Sequence, residues 1–182
     1  MNKISQIIIL IVFLLSNNLN AQNNSTKYFN LCDTVFSVGD TYFFPEIIYE
    51  SFRVKNPFKP LDSVIVFLQK NPKIVVEISV HTDLREIPMT NDTLSKYRAD
   101  NIVKYLISKG IESRRLIAEG YGSKKTRCLE KDYVSVYNGN KYLFPKGTCL
   151  TRDYIINLLS KDEKEAACSL CNRSEMKILK IE

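Results

Sequence analysis

A strictly alternating run followed by a long amphipathic segment is the feature that most constrains this fold. The run KIVVEISVH has apolar side chains at every second position, namely Ile74, Val76, Ile78 and Val80. A period of two predicts a strand with one buried face. The segment TNDTLSKYRADNIVKYLISKG (90–110) comes soon afterwards, and Asn91 or Asp92 can cap its start while Gly110 ends it. The two segments together predict a strand that leads into a helix.

The rest of the pattern continues this alternation of strands and helices. An aromatic-rich strand is predicted at 41–49, an amphipathic helix at 61–71, a short strand at 114–122 and a last strand at 174–182. The order is therefore β-α-β-α-β, then a long segment, then β. We expect an α/β (α+β) sandwich in which two main helices pack on a small mixed sheet.

The N-terminal region and the long segment near the end set the expected domain boundaries. Residues 1–21 contain one lysine, nine consecutive apolar residues and a small-residue end at Ala21, which is typical of a secretory signal peptide. An uncleaved anchor is the alternative, although nine residues are far fewer than the ~20 of a membrane-spanning helix. Residues 22–40 read as a polar leader, and 41–182 as one domain with a cysteine-rich insertion at 124–171.

Charge and composition exclude several functional classes. The net charge of +6 is spread along the chain, which argues against nucleic-acid binding. His81 is the only histidine, so a site with several histidine ligands is excluded. His81 and Asp83 are neighbours on an extended segment, but no hydrolase motif supplies a nucleophile for them. We therefore expect neither an enzyme nor a metal or cofactor site.

An arginine lies within the apolar face of the second helix. At 100° per residue, the apolar arc contains Leu94, Ala99, Ile102, Val103, Tyr105 and Leu106. Arg98 falls in this arc, and an unpaired buried charge costs several kcal/mol, so it needs an anionic partner. Asp83, just past the preceding strand, is the candidate. The two can pair with each other, or both can face a pocket and bind the opposite charges of a zwitterionic ligand.

The insertion contains most of the cysteines and a further predicted helix. An amphipathic helix is expected near 151–167, with one face made by Tyr154, Ile155, Leu158 and Leu159. The cysteines in or beside the insertion are Cys128, Cys149, Cys168 and Cys171. After export they are candidates for disulfides, while a four-cysteine zinc site or a redox-active C-x-x-C pair are the alternatives. Cys32, near the leader, is the expected unpaired cysteine.

Taken in order, these motifs resemble the peptidoglycan-binding C-terminal domain of the outer membrane protein A (OmpA) family. Peptidoglycan-associated lipoproteins and flagellar stator proteins share this domain. The resemblance runs through EISVHTD, NDTLSKYRADNIVKYLISKGI and RLIAEGYG, and it resumes in NRSEMKILKI. It covers about residues 41–124 and 172–182, and the fifteen-residue step from Asp83 to Arg98 matches the family spacing.

The resemblance implies a ligand pocket. In the family, the matching aspartate and arginine bind the ammonium and the carboxylate at the diaminopimelate end of the peptidoglycan stem peptide. Those roles fall here on Asp83 and Arg98. The other pocket residues that the resemblance implies are Thr82, Asn91, Leu94 and Arg173.

One loop departs from the family pattern. The chain reads LREIPM (84–89) where the family often has a glycine-containing turn. Pro88 is expected to shape this loop because it fixes its own backbone angle and restricts the preceding residue. Arg85 and Glu86 add charges beside the pocket, so we expect them to alter ligand preference.

The implied function is that of an exported, non-enzymatic domain that binds the stem peptide without a cofactor. It would reside in the periplasm or cell envelope and anchor a partner or the outer membrane to the cell wall. Another envelope protein is the candidate partner for residues 124–171. The alternative is a structural or interaction module with an altered or lost pocket, in which a closed Asp83–Arg98 salt bridge is expected.

Overall fold

The computed structural model describes residues 27–44, 49–50, 53–54, 59–85 and 88–182. The predicted signal peptide lies outside the described residues. The strands are β1 (Thr41–Phe43), β2 (Tyr49–Glu50), β3 (Arg53–Val54), β4 (Ile74–His81), β5 (Leu116–Gly122), β6 (Tyr133–Tyr137), β7 (Asn140–Phe144) and β8 (Arg173–Ile181). The helices are α1 (Lys59–Lys70), α2 (Pro88–Ser108), α3 (Arg152–Ile156) and α4 (Lys161–Cys171), with a 3₁₀ turn at Ser113–Arg115.

The central sheet has four strands in the order β1-β8-β4-β5. β4 lies in the middle, parallel to β5 and antiparallel to β8, and β1 is antiparallel to β8. The parallel pair is joined by α2, as in a β-α-β unit. The predicted α/β sandwich with a small mixed sheet is therefore confirmed.

One apolar core joins α1 and α2 to this sheet. The alternating side chains of β4 are all buried, and so are Leu61 and Leu68 of α1 and Ile102 and Leu106 of α2. We call β4, β5 and β8 with α1 and α2 the sheet core. Within the described residues, no helix combines the length and apolarity needed to cross a bilayer.

Close approach of helix and sheet explains one glycine of the EGYG motif. A Cβ atom on Gly120 of β5 would lie 2.1 Å from the backbone nitrogen of Lys96 in α2. Real Cβ atoms do not approach other atoms so closely, so any other residue must push the helix away from the strand. The glycine therefore sets the distance between α2 and the sheet.

Two predicted boundaries differ from the structure. The predicted strand at 41–49 is described only in part, as β1 and as β2, which pairs with β3 in a separate two-stranded ladder. The long helix begins at Pro88 and not after Asn91 or Asp92. Proline is well suited to the first turn of a helix because its missing N–H has no intrahelical acceptor there.

Part of the predicted leader packs against the domain. Phe29 is buried in the sheet core cluster, and its backbone N–H donates to the carbonyl of Thr41. Asp40 is also buried, and its carboxylate accepts hydrogen bonds from the Ser37 backbone N–H and from Lys27 Nζ. Residues 27–40 thus contact the ordered domain and do not behave as a separate linker.

The insertion forms a small second core of its own. β6 and β7 make an antiparallel hairpin whose turn, Asn138-Gly139, has positive φ angles of 48° and 79°. This hairpin was not predicted, although Asn-Gly is a strong signal for such a turn. Its buried partner is α4, which contributes Ala166 and Ala167 to the second cluster.

The single helix expected near 151–167 is wrong, because the chain forms two short helices there. Ser160 caps α4 by accepting a hydrogen bond from the Glu163 backbone N–H, and Glu163 accepts one from the backbone N–H of Leu159. The sequence S-x-x-E fits a capping box, although Glu163 reaches the N–H of the residue before the cap, and these contacts start a new helix. Leu159 is consequently fully exposed and does not share a buried face with Ile155.

Candidate functional site

A cavity of about 840 Å³ lies between the sheet core and the insertion. Of the residues that the sequence predicted for a pocket, those that line it are Thr82, Asp83, Leu94, Arg98 and Arg173. The insertion closes another side of the cavity with Arg127, Tyr133, Ser169 and Leu170. The predicted residues therefore come together, but in a cavity with an additional wall.

Asp83 is fixed where β4 ends. The preceding residue, Thr82, donates its backbone N–H to the carbonyl of Gly122 at 3.0 Å, which continues the contact between β4 and β5. Asn172 then binds Asp83 twice: its Oδ1 accepts from the Asp83 backbone N–H at 3.1 Å, and its Nδ2 donates to Oδ2 of the Asp83 side chain at 2.8 Å. The ends of two sheet strands thus orient this carboxylate.

Asn91 supports Asp83 from behind and does not line the cavity. Its side chain is fully buried in the first turns of α2, and Nδ2 donates to the backbone carbonyl of Asp83 at 3.2 Å. The predicted role of Asn91 as a pocket wall is wrong for this reason. Its short amide reaches the backbone of the loop instead.

The ion-pair partner of Asp83 is Arg85, so of the two arrangements that the sequence left open, the direct Asp83–Arg98 pair is not formed. Arg85 donates from its backbone N–H to Oδ1 at 2.9 Å, and from Nε at 3.0 Å and Nη2 at 2.5 Å to Oδ2. Its third nitrogen, Nη1, donates to Glu165 of α4 at 2.6 Å. The sequence showed only that Arg85 adds charge beside the pocket, because the distant Glu165 could not be placed.

These contacts determine the protonation of the pair. Burial by itself raises the pKa of Asp83, but the hydrogen bonds from Arg85 and Asn172 outweigh burial and hold that pKa below its ordinary value. The hydrogen bond to Asp83 raises the pKa of Arg85 in turn. The site therefore contains a closed carboxylate–guanidinium pair across the neutral pH range.

Arg98 reaches the cavity from α2 and is partly exposed there. Its neighbours on the helix, Leu94, Ala99 and Ile102, are buried as the helix projection predicted. The arginine thus leaves the apolar face where that face meets the cavity.

Two further arginines add positive charge to the cavity wall. Arg173 donates from Nε to Glu175 at 2.5 Å. Arg127 donates from Nη1 to the carbonyl of Leu170 at 2.5 Å, and its guanidinium lies over the ring of Tyr133 at 4.5 Å. Arg127 is buried, and among the described residues its Nε has no hydrogen-bond partner. Sequence reasoning missed Arg127 because no periodicity or motif distinguishes it.

His81 is held within the sheet and is not paired with Asp83. Its ring stacks on Tyr121 at 5.3 Å between centroids, and Nε2 lies 3.6 Å from Glu175. Burial lowers the pKa of His81. Burial raises the pKa of Glu175, but the adjacent His81 and Arg173 outweigh it and lower that pKa to about 2.

The cysteines form one disulfide, Cys128–Cys149, inside the insertion. The second expected pair is wrong: Cys168 and Cys171 are buried thiols on α4. Burial raises the pKa of both thiols, which makes them poor nucleophiles. Cys32 is an exposed thiol. In the part of the chain that the structure describes, no group of three or more His, Cys, Asp or Glu side chains could hold a metal ion.

Comparison with known proteins supports the resemblance read from the motifs. Residues 56–134 match the model of the OmpA family. The chain is 32% identical over 81 residues to the peptidoglycan-associated lipoprotein of Pasteurella multocida, which covers 44% of this chain and 53% of that protein. It is 34% identical over 90 residues to the peptidoglycan-associated lipoprotein of Buchnera aphidicola, which covers 48% and 49% respectively. The chain thus spans about half the length of these curated relatives.

Similar solved structures include the peptidoglycan-associated lipoprotein of Burkholderia pseudomallei, at a TM-score of 0.45 and 18% identity, over 76% of this chain and 87% of that one. The cell wall anchor of the T6SS from Pseudomonas aeruginosa has a TM-score of 0.47 and 20% identity, over 78% and 80%. Because these TM-scores are low, the family assignment rests on the sequence matches. The resemblance predicted from the motifs is confirmed, because residues 56–134 of this chain match the model of the OmpA family.

Proposed function

We propose that this chain is a non-enzymatic domain of the periplasm or cell envelope that binds peptidoglycan noncovalently. It holds the diaminopimelate end of the stem peptide in the cavity between the sheet core and the insertion. By this contact it anchors a partner protein or the outer membrane to the cell wall. The names of its relatives, peptidoglycan-associated lipoproteins, support the same role.

The observation that carries the proposal is the meeting of Asp83 and Arg98 in one cavity. They come from different elements, a strand end and a helix face, so a ligand in the cavity meets the guanidinium of Arg98 beside the carboxylate of Asp83, which Arg85 already pairs. A free amino-acid end carries both opposite charges, and the arginine fork can bind its carboxylate through two hydrogen bonds. Leu94 adds an apolar surface for the aliphatic part of diaminopimelate.

A second candidate is an interaction module that retains the fold without the ligand. The observation in its favour is that the Asp83 carboxylate is already paired with Arg85. The hairpin of the insertion also exposes apolar side chains, with Val136 and Leu143 each about three-fifths exposed. This surface is where the predicted envelope partner of residues 124–171 should be sought.

Retention of purified protein on isolated peptidoglycan sacculi tests the proposal. Wild type should sediment with the sacculi, and Arg98→Ala should lose at least about tenfold in affinity, because loss of a charged hydrogen-bonding group costs at least ~1.4 kcal/mol. Arg98 is partly exposed, so its truncation should leave the fold intact.

Arg114→Ala is the matched control. Arg114 is an exposed arginine outside the cavity. Within the described residues, its ion-pair partner is Glu112. Its removal changes the net charge as much as the test variant does, so it should reduce retention only slightly. Equal retention of wild type, Arg98→Ala and Arg114→Ala would favour the interaction module.

A further inference from the structure

Arg85, in the loop after β4, forms an ion pair with Asp83, whose carboxylate faces the cavity. Arg85 binds Asp83 through one backbone and two side-chain nitrogens, at 2.9, 3.0 and 2.5 Å. Asn172 adds a fourth donor at 2.8 Å. A carboxylate has about four lone-pair positions, so these contacts use its capacity to accept hydrogen bonds. An incoming ammonium can bind Asp83 only by displacing Arg85.

Arg85 is held in this position by the insertion. Its Nη1 donates to Glu165 of α4 at 2.6 Å, so the guanidinium lies between two carboxylates. The adjacent Leu84 packs into the apolar cluster of the insertion. The Arg85 side chain is 42% exposed, but carboxylates on both sides hold its guanidinium in place.

The cavity that remains is positively charged. With Asp83 neutralised by Arg85, the cationic groups that line it are Arg98, Arg127 and Arg173. Arg173 is offset by Glu175, whereas Arg127 makes no ion pair within the described residues, and its buried Nε has no hydrogen-bond partner. This balance favours an anionic group over a cationic one.

We infer that Arg85 is a specificity-determining residue that occupies the ammonium position on Asp83, so that the pocket recognises its ligand by a carboxylate. This inference rests on the proposed function and deepens it. The domain would bind a stem peptide whether or not its terminal amine is free, because the internal guanidinium already satisfies Asp83. Glu165 supports this role by holding Arg85 in place.

Two synthetic ligands test the inference by calorimetry. One is the stem tripeptide that ends in diaminopimelate, and the other is the same tripeptide with the free amine of that residue replaced by hydrogen. Wild type should bind both within about threefold. Arg85→Ala frees Asp83, so it should bind the amine-bearing ligand at least about tenfold more tightly than the other, since a buried charge-assisted hydrogen bond contributes ~1.5 kcal/mol or more.

Arg85→Lys and Arg114→Ala are the controls. Lysine retains a cation beside Asp83 but not the fork, so Arg85→Lys should prefer the amine-bearing ligand less than Arg85→Ala does. Arg114→Ala lies outside the cavity and should behave as wild type. Thermal unfolding of each variant confirms that it is folded before binding is compared.

The outcomes separate the inference from the proposed function. If wild type already prefers the amine-bearing ligand by about tenfold and Arg85→Ala has the same preference, Arg85 does not determine specificity, while the proposed function stands. If Arg85→Ala binds both ligands equally, Asp83 does not read the amine and the inference is again wrong. If neither protein binds either ligand, the proposed function fails together with the inference.

Discussion

The sheet core and the insertion reach stability in different ways. The sheet core buries the alternating side chains of its central strand under two helices and has β4 bonded to strands on both sides. The insertion has a two-stranded hairpin, two short helices, a smaller apolar cluster and a disulfide. Small apolar cores often need such a covalent link.

The difference matters because the site is made where the two regions meet. The sheet core supplies the residues that family motifs specify, Asp83 and Arg98. The insertion supplies Arg127, which lines the same cavity, and Glu165, which holds Arg85 against Asp83. The sheet core and the insertion thus both place charged side chains at this cavity.

The largest expected effect is on stability, and it comes from comparing one glycine substitution in the sheet core with one in the insertion. Gly120→Ala should destabilise the whole domain by about 3 kcal/mol or more, because its Cβ would clash with the backbone of α2 and the backbone cannot move aside easily. A Cβ atom on Gly139 in the hairpin would have no described atom within 4 Å. Gly139→Ala should therefore lower the free energy of unfolding by only about 1 kcal/mol, because alanine disfavours the positive φ of 79°. Urea unfolding measures both, and equal losses would contradict this assignment.

Removal of the disulfide should weaken the insertion and spare the sheet core. Cys128 and Cys149 are 21 residues apart, so chain-entropy arguments give the bond about 3 kcal/mol. In the double serine variant, amides of α4 should lose hydrogen-exchange protection by about this amount, while amides of β4 keep theirs. An equal loss in both would mean that the regions unfold as one unit.

Acid should destabilise the sheet core by protonating Glu175, whereas removal of the disulfide should destabilise the insertion. Glu175 has a folded-state pKa of about 2 against an ordinary value of 4.5, so its contribution to stability is present above pH 4.5 and is lost as pH falls toward 2. Between neutral pH and pH 3 the loss is about 2 kcal/mol. The lowered pKa of His81 acts in the same direction below pH 6.5.

Glu175→Gln tests this assignment. The variant cannot take up the proton, so its free energy of unfolding should change less between pH 5 and pH 3 than that of wild type, by about 2 kcal/mol. Chemical denaturation at several pH values measures the difference. Parallel pH profiles for the two proteins would assign the acid sensitivity to another group.

The sequence predicted the sheet core well because its signals are local. The two-residue period of β4 and the apolar arc of α2 each follow from the residues of one element, and one sheet face buries both. Arg98 and Asp83 could be predicted because family motifs at a fixed spacing contain them.

The remaining features depend on contacts between distant residues. Arg85 meets Glu165 across 80 positions, and no periodicity joins the two. Asn172 reaches Asp83 across 89 positions in the same way. The division of the insertion helix at Ser160 was readable from its capping box, but the amphipathic pattern across 151–167 concealed it. Motifs thus specified Asp83, Arg98 and Arg173 but not Arg127, and tertiary packing decided how these charges are paired.

The most direct test of the central claim is an NMR titration of wild-type protein with a soluble peptidoglycan fragment that contains the diaminopimelate stem peptide. If the ligand enters the cavity between the sheet core and the insertion, backbone amide shifts should change at Thr82–Arg85, around Arg98 and at Leu170–Arg173. These three segments come from a strand end, a helix and the junction of α4 with β8. Shifts confined to Val136 and Leu143 of the hairpin, or none at saturating fragment, would contradict the account.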